Sequence, residues 1–176
     1  MYVQNTEAIM FRKMRRFRQQ LSDEEAIRIL EEGKTGILAV NGDDGYPYTV
    51  PLNYLYKGGK IIFHGAKAGH KYDAMVNSDK VSFCVIDKDE VVPDKVTNYF
   101  RSVVAFGRVK IIDDEEARKE AALAIGRKFS PEEAVQEDMR RSYANVVMYE
   151  ISIEHMTGKE AIELVAMKAA QSQKEE

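Results

Sequence analysis

An antiparallel β barrel flanked by helices is the fold class this sequence predicts. Three observations carry it: six strand-like runs, hairpin-type turns between most of them, and no Gly-x-Gly-x-x-Gly fingerprint after any strand. A parallel sheet needs a long crossover between successive strands, commonly a helix. Here the helical segments gather at the start, the middle and the late part of the chain. That arrangement disfavours a doubly wound nucleotide-binding domain.

The chain opens with a basic arm, 1–20, holding Arg12, Lys13, Arg15, Arg16 and Arg18 without apolar periodicity. Few aromatic residues interleave with these charges, and the chain as a whole carries a net charge of −3. Both facts favour a mobile, solvated segment over a nucleic-acid-binding arm. Residues 21–167 form the predicted domain, and 168–176 a polar, frayed tail. Within the domain, Ser22 and Glu25 make a capping box for a helix whose stripe is Ala26, Ile29 and Leu30, ended by Gly33. The period then changes to that of strands: 36–40, a turn at 41–45, and the run 46–56 with Tyr48, Val50, Leu52, Tyr54 and Tyr56 on one face. Pro47 and Pro51 break that run, so a bulge or an unpaired stretch is expected there. Gly58-Gly59 turns the chain into strand 60–64, and a short helix follows to about residue 76. Strand 81–86, a charged loop at 87–98 containing Pro93, and a long strand 99–112 come next. Gly107 marks a bend in the long strand, whose face is Val103, Ala105, Gly107 and Val109. Helix 115–129, a second helix opened by Pro131 at its first turn, and strand 146–154 complete the set.

Composition bounds the function. A chain of 176 residues, 44% hydrophobic and 31% charged, suits one soluble globular domain with an apolar core. No apolar run approaches the ~20 residues of a membrane-spanning helix, and the basic start lacks the apolar stretch of a signal peptide. The single cysteine, Cys84, lies in an apolar run and reads as a buried, reduced thiol, which points to the cytoplasm. Nothing beside it would lower its pKa, so it is a poor nucleophile. His64, His70 and His155 lack metal-site spacing, no Gly-x-Ser-x-Gly elbow occurs, and the acidic clusters suit solvated helix faces. No metal site, nucleic-acid partner or membrane is expected. By elimination, an enzyme here would take its chemistry from a cofactor.

One stretch is built for a ligand. The strand Ile61-Ile62-Phe63 stops at His64, and Gly65-Ala66 leaves room for close approach to the backbone. Gly69-His70-Lys71 then opens a helix whose free N–H groups and dipole, with Lys67 and Lys71, suit a phosphate-sized anion. The same residues also suit an ordinary strand–loop–helix corner with solvated lysines.

Met14-Arg15-Arg16, Gly36-Ile37-Leu38-Ala39, the run Gly45-Tyr46-Pro47-Tyr48-Thr49-Val50-Pro51-Leu52-Asn53-Tyr54, and Phe63-His64-Gly65-Ala66 with Gly69-His70-Lys71 occur in that order. Together, over about residues 14–159, they resemble the FMN-binding split-barrel family related to pyridoxamine 5'-phosphate oxidase, in its nitroimidazole-resistance branch. The resemblance implies a homodimer of six-stranded antiparallel split barrels with FMN at the subunit interface. It implies that Val50, Pro51, Leu52 and Asn53 lie along the flavin, and that His64, Gly65 and Ala66 border the ring and ribityl chain. Lys71, helped by His70, would hold the phosphate, and Arg101 and Ser102 would come from the partner subunit. Dimerisation would also cover the strand face of 103–109. The implied function is an FMN-dependent oxidoreductase taking electrons from NAD(P)H or another reductant to a small acceptor such as a nitroaromatic, with His64 as contact or proton donor. A haem-binding split barrel and a non-catalytic flavin- or small-ligand-binding protein are the alternatives. The C-terminal Arg-x-His pattern of the pyridoxamine phosphate oxidases is missing from this sequence, so vitamin B6 oxidation is not assigned.

Overall fold

Seven strands make a single antiparallel sheet: β1 Thr35–Asn41, β2 Pro47–Asn53, β3 Leu55–Lys57, β4 Lys60–Gly65, β5 Lys80–Val92, β6 Thr97–Ile111 and β7 Val147–Glu160. The computed structural model describes residues 11–175. The strand order is β2-β1-β5-β6-β7-β4-β3, so β2 and β3 are the two edges. Only Tyr54 separates them in sequence. One residue cannot span an open sheet, so the sheet must curl until its edges meet at that point. The barrel is thus pinned shut at Tyr54 and left open along the rest of β2, whose outer edge has no strand partner among the described residues.

That pinning corrects the expected count of six strands. The run 46–56 is one stretch in sequence but two strands in space, because the chain crosses from one edge to the other at Tyr54. Tyr54 is fully buried and packs edge-on to Phe83, with ring centroids 5.0 Å apart. The two prolines need no bulge. The β1–β2 register runs unbroken from Asn41↔Pro47 to Thr35↔Asn53, and an edge strand tolerates proline because one side needs no donors. Gly107 does mark an irregularity, since the β6–β7 register shifts between Phe106 and Gly107.

Inward residues fill the barrel: Leu38 and Val40 of β1, Ile61 and Phe63 of β4, Phe83 and Val85 of β5, Val103 and Ala105 of β6, Tyr149 and Ile151 of β7. Helix α1, Asp23–Glu32, plugs one end with Ala26, Ile29 and Leu30. Its capping box is intact, with Ser22 N–H donating to Glu25 Oε2 at 3.1 Å and Glu25 N–H to Ser22 Oγ at 3.2 Å. The plug sits near Gly158, where an added Cβ would meet Leu21 and Ala26. Helix α2, His70–Asn77, seals the other end with Ala74 and Met75. Helix α3, Glu115–Phe129, covers the outer face of β4 and β7 through Ala121, Ile125, Met148 and Ile62, and α4, Glu132–Ser142, packs on α3 with Val135 beside Gly126.

Other expectations need correction. The segment 87–98 is no loop: past a register shift between Ile86 and Lys88, β5 and β6 pair on to Val92↔Thr97, closed by a 3-10 turn at Pro93–Lys95. This hairpin reaches beyond the barrel, so neither face carries the apolar alternation that would reveal a strand. The face of Val103 to Val109 is not left bare; those residues point into the core. The more exposed apolar face has the opposite parity, with Ile86 55% and Phe106 39% exposed and Phe11 beside Phe106 at 5.6 Å. Cys84 belongs to that outward set, half-buried between Ile37 and Val104, and is not core filling. The expected tail is largely helix α5, Ile162–Glu175. Its good helix formers favour that, and Lys168 anchors it to Glu25 at 2.6 Å and Glu160 at 2.9 Å. The first ten residues of the expected arm lie outside the described residues. Residues 11–20 lie on the barrel: Phe11 stacks on His155 at 4.8 Å, Gln19 is buried, and Gln20 bridges Lys159. No helix among the described residues is long and apolar enough to cross a membrane.

Candidate functional site

The open seam forms a cleft of about 450 Å3. Its walls are the end of β2 (Leu52, Asn53), the end of β4 with its following loop (His64, Gly65, Ala66), Lys71 of α2, and Asn145-Val146 before β7. Pairing of β4 with β7 explains the last two. Gly65 opposes Val147, which carries residues 145–146 across from the β4 corner.

Lys71 is the distinctive group in this cleft. Its ammonium lies 5.8 Å from the Phe63 ring centroid, and half-burial lowers its pKa. Among the described residues it has no carboxylate within ion-pair distance and donates no hydrogen bond. A half-buried cation without an anion costs free energy unless something outside the chain supplies the charge. Gly65 makes the space. A Cβ there would come within 3.2 Å of Lys71 Nζ and of the Tyr149 ring. The Tyr149 hydroxyl is buried without a hydrogen-bond partner among the described residues, and burial pushes its pKa up to about 12.

Lys67 behaves differently. Its ammonium donates to the Ala144 carbonyl at 2.7 Å, tying the β4–α2 loop to the segment before β7. His64 projects outward from β4 into the cleft. Desolvation and the neighbouring Lys71 lower its pKa, against an opposing pull from Asp138. It therefore favours the neutral imidazole.

Of the other residues implied by the resemblance, Leu52 and Asn53 line the cleft, while Val50 and Pro51 lie further along the same free-edged strand. The Asn53 side chain donates to the Lys34 carbonyl at 3.0 Å. His70 turns away from the cleft and stacks on Tyr48, centroids 4.1 Å apart, with Nε2 3.7 Å from Asp43. Arg101 pairs with Asp87 at 2.5 Å, away from this chain's own cleft. Ser102 shares the outward face of β6 with Val104 and Phe106. Sequence reasoning missed Asn145, Val146 and Asp138. The one available hint was a turn-forming Asn directly before an apolar run. Among the described residues no cluster of His, Cys, Asp or Glu suits a metal ion.

This fold and cleft define a class. A family model described as pyridoxamine 5'-phosphate oxidase matches residues 22–160, and the chain belongs to that family. Its structural neighbours include a protein named for 5-nitroimidazole antibiotic resistance from Bacteroides thetaiotaomicron (TM-score 0.65, 21% identity, 80% of this chain and 86% of that one). A FAD-binding protein from Mesorhizobium loti is 27% identical at TM-score 0.59, over 81% of this chain and 97% of that one. A FAD and heme binding protein from Mycobacterium smegmatis has TM-score 0.68 at 20% identity, over 81% and 73% of the two chains. A comparison with curated proteins finds no match.

Proposed function

We propose that the cleft binds FMN, with Lys71 on the phosphate, and that the protein passes electrons from the reduced flavin to a small acceptor such as a nitroaromatic. The observation that carries this reading is the half-buried Lys71 ammonium, which lacks a counter-charge among the described residues and stands over the space left by Gly65. Phosphate at that ammonium would form charge-assisted hydrogen bonds at the N-terminal turn of α2, where free N–H groups add to the attraction. The free edge of β2 offers backbone donors and acceptors to a planar ring with an amide-like rim, beside Leu52 and Asn53. The FAD-binding neighbour at 27% identity supports the flavin.

When bound, the flavin supplies the hydride or electron chemistry. The chain's own residues position and shield. Leu52, Gly65 and Ala66 would exclude water from the ring, and the Lys67–Ala144 bond holds the cleft's two walls together. His64, neutral at physiological pH, would accept a hydrogen bond or contact the acceptor; a small acidic population could donate a proton. We also propose a homodimer with NAD(P)H or a similar reductant as electron source. The apolar outward face of Ile37, Cys84, Ile86, Val104 and Phe106 suits a second copy of the chain, with Ser102 at its margin.

Heat-releasing whatever the purified protein holds, then chromatography and an absorption spectrum, tests this directly. FMN is expected. A Soret band with no flavin would put haem in its place, and an empty protein that takes up no flavin would overturn the reading.

A further inference from the structure

A second cavity, of about 250 Å3, lies between the outer face of β4 and helices α3 and α4. Its walls are largely apolar, with Ala122, Ile125, Phe129, Met139 and Met148 prominent. Asn53, His64 and Val146 line both this cavity and the flavin cleft, so the two spaces meet at the His64 imidazole. No lysine or arginine lines it, whereas Asp138 does. The Tyr143 hydroxyl on its wall is already engaged, accepting from Arg118 at 3.0 Å and donating to Glu115 at 3.1 Å. An apolar cavity of roughly 150 Å3 is enough to hold benzene, so this one has room for a substituted ring.

We propose that this cavity is the acceptor chamber, and that it takes an uncharged one-ring or fused two-ring aromatic molecule and delivers it to His64. The apolar walls favour a flat hydrocarbon surface. An acidic substituent would have to shed its water against these apolar walls, and Asp138, which pairs with Arg141 at 3.3 Å, offers it no compensating charge. The chamber is built within one protomer by helices that the barrel itself does not require. Its role as acceptor site rests on the flavin reading; its selectivity for neutral aromatics does not.

The test is calorimetric titration of the purified, oxidised protein with para-nitrobenzyl alcohol and with para-nitrobenzoate, which share a ring and differ in charge. The alcohol is expected to bind at least tenfold more tightly than the acid. Ala122→Phe, which fills the cavity, should weaken the alcohol about tenfold or more and leave flavin content and thermal midpoint close to the parent's. Should Ala122→Phe fail to fold, Met139→Trp fills the same space from α4. Because Asp138 is largely exposed, Asp138→Asn should narrow the gap between the two ligands only roughly two- to fivefold. Equal binding of the two ligands, or alcohol binding indifferent to both filling variants, overturns the chamber. Failure of the flavin reading looks different: no flavin is present or taken up, yet the alcohol still binds in an Ala122-dependent way. That result would keep the aromatic site and remove its role as acceptor chamber.

Discussion

The two ends of the barrel solve the same problem in opposite ways. At the α1 end, polar groups find partners within the chain: Lys168 bridges Glu25 and the buried Glu160, and Lys128, without a carboxylate among the described residues, donates to the Gly33 carbonyl at 2.6 Å. Apolar residues of α1 complete the plug, with Leu30 fully buried. At the α2 end the seam stays open along β2, and Lys71 is half-buried without a partner among the described residues. Where chain groups satisfy one another, the region serves stability. Where one charge is left over in a cleft, we propose a ligand as the missing partner, with stability given up to hold it.

Substitutions at the two ends should separate these roles. The largest effect belongs to the plug. Leu30→Ala should destabilise the fold by about 2–5 kcal/mol, the range for emptying a buried leucine site, while the folded fraction keeps its flavin affinity. Urea denaturation with and without flavin checks both halves. An affinity loss as large as the stability loss would mean that the two ends are coupled.

Lys67→Ala removes the strap to Ala144 and should cost about 0.5–1.5 kcal/mol or less, the net worth of one exposed hydrogen bond. It should also raise amide exchange in residues 143–146, which hydrogen-exchange mass spectrometry would detect. Lys71→Met reverses the sign. It removes an uncompensated ammonium, so the flavin-free protein should become slightly more stable, by under about 1 kcal/mol because water still screens the site. A marked loss of stability would reveal a partner for Lys71 inside the chain and remove the contrast between the ends.

The smallest effect concerns pH. His64 has its pKa lowered in the folded protein, chiefly by desolvation and then by Lys71, from an ordinary value of 6.5. The unfolded chain therefore binds the proton more readily. His64's contribution to stability is fully present above about pH 6.5 and is lost as pH falls from there toward the folded-state pKa. His64→Gln should flatten that part of the stability profile in urea titrations between pH 5 and 7.5, a span bracketing the ordinary imidazole value of about 6.5. An unchanged profile would mean that His64 is as well solvated folded as unfolded.

The parts of this architecture legible in sequence are those decided locally. Ser22 and Glu25 announce the capping box, Gly107 announces the bulge, and the Phe63–Lys71 stretch announces the corner of the cleft. What is not legible depends on partners far away in the chain. Tyr54 sits in an alternating run whose prolines lie upstream of it, and only the sheet order turns it into the seam. The hairpin 87–98 carries no apolar pattern, because it leaves the barrel and none of its residues is fully buried. Asp138 and Asn145 reach the site only because β7 pairs with β4 and α3–α4 fold back over that pair. Cys84 lies on the outward face although its run suggests the core, since a continuous apolar run does not reveal its parity.

The central claim is that the unpartnered charge of Lys71 is completed by the ligand's phosphate. Titrating flavin-free wild type and Lys71→Ala with FMN and with riboflavin, in one buffer, tests it most directly. The account predicts that FMN affinity falls by about 1–3 kcal/mol, the scale of a charge-assisted hydrogen bond, and that riboflavin affinity barely moves. Equal losses for the two ligands would contradict it, and would place the phosphate away from Lys71.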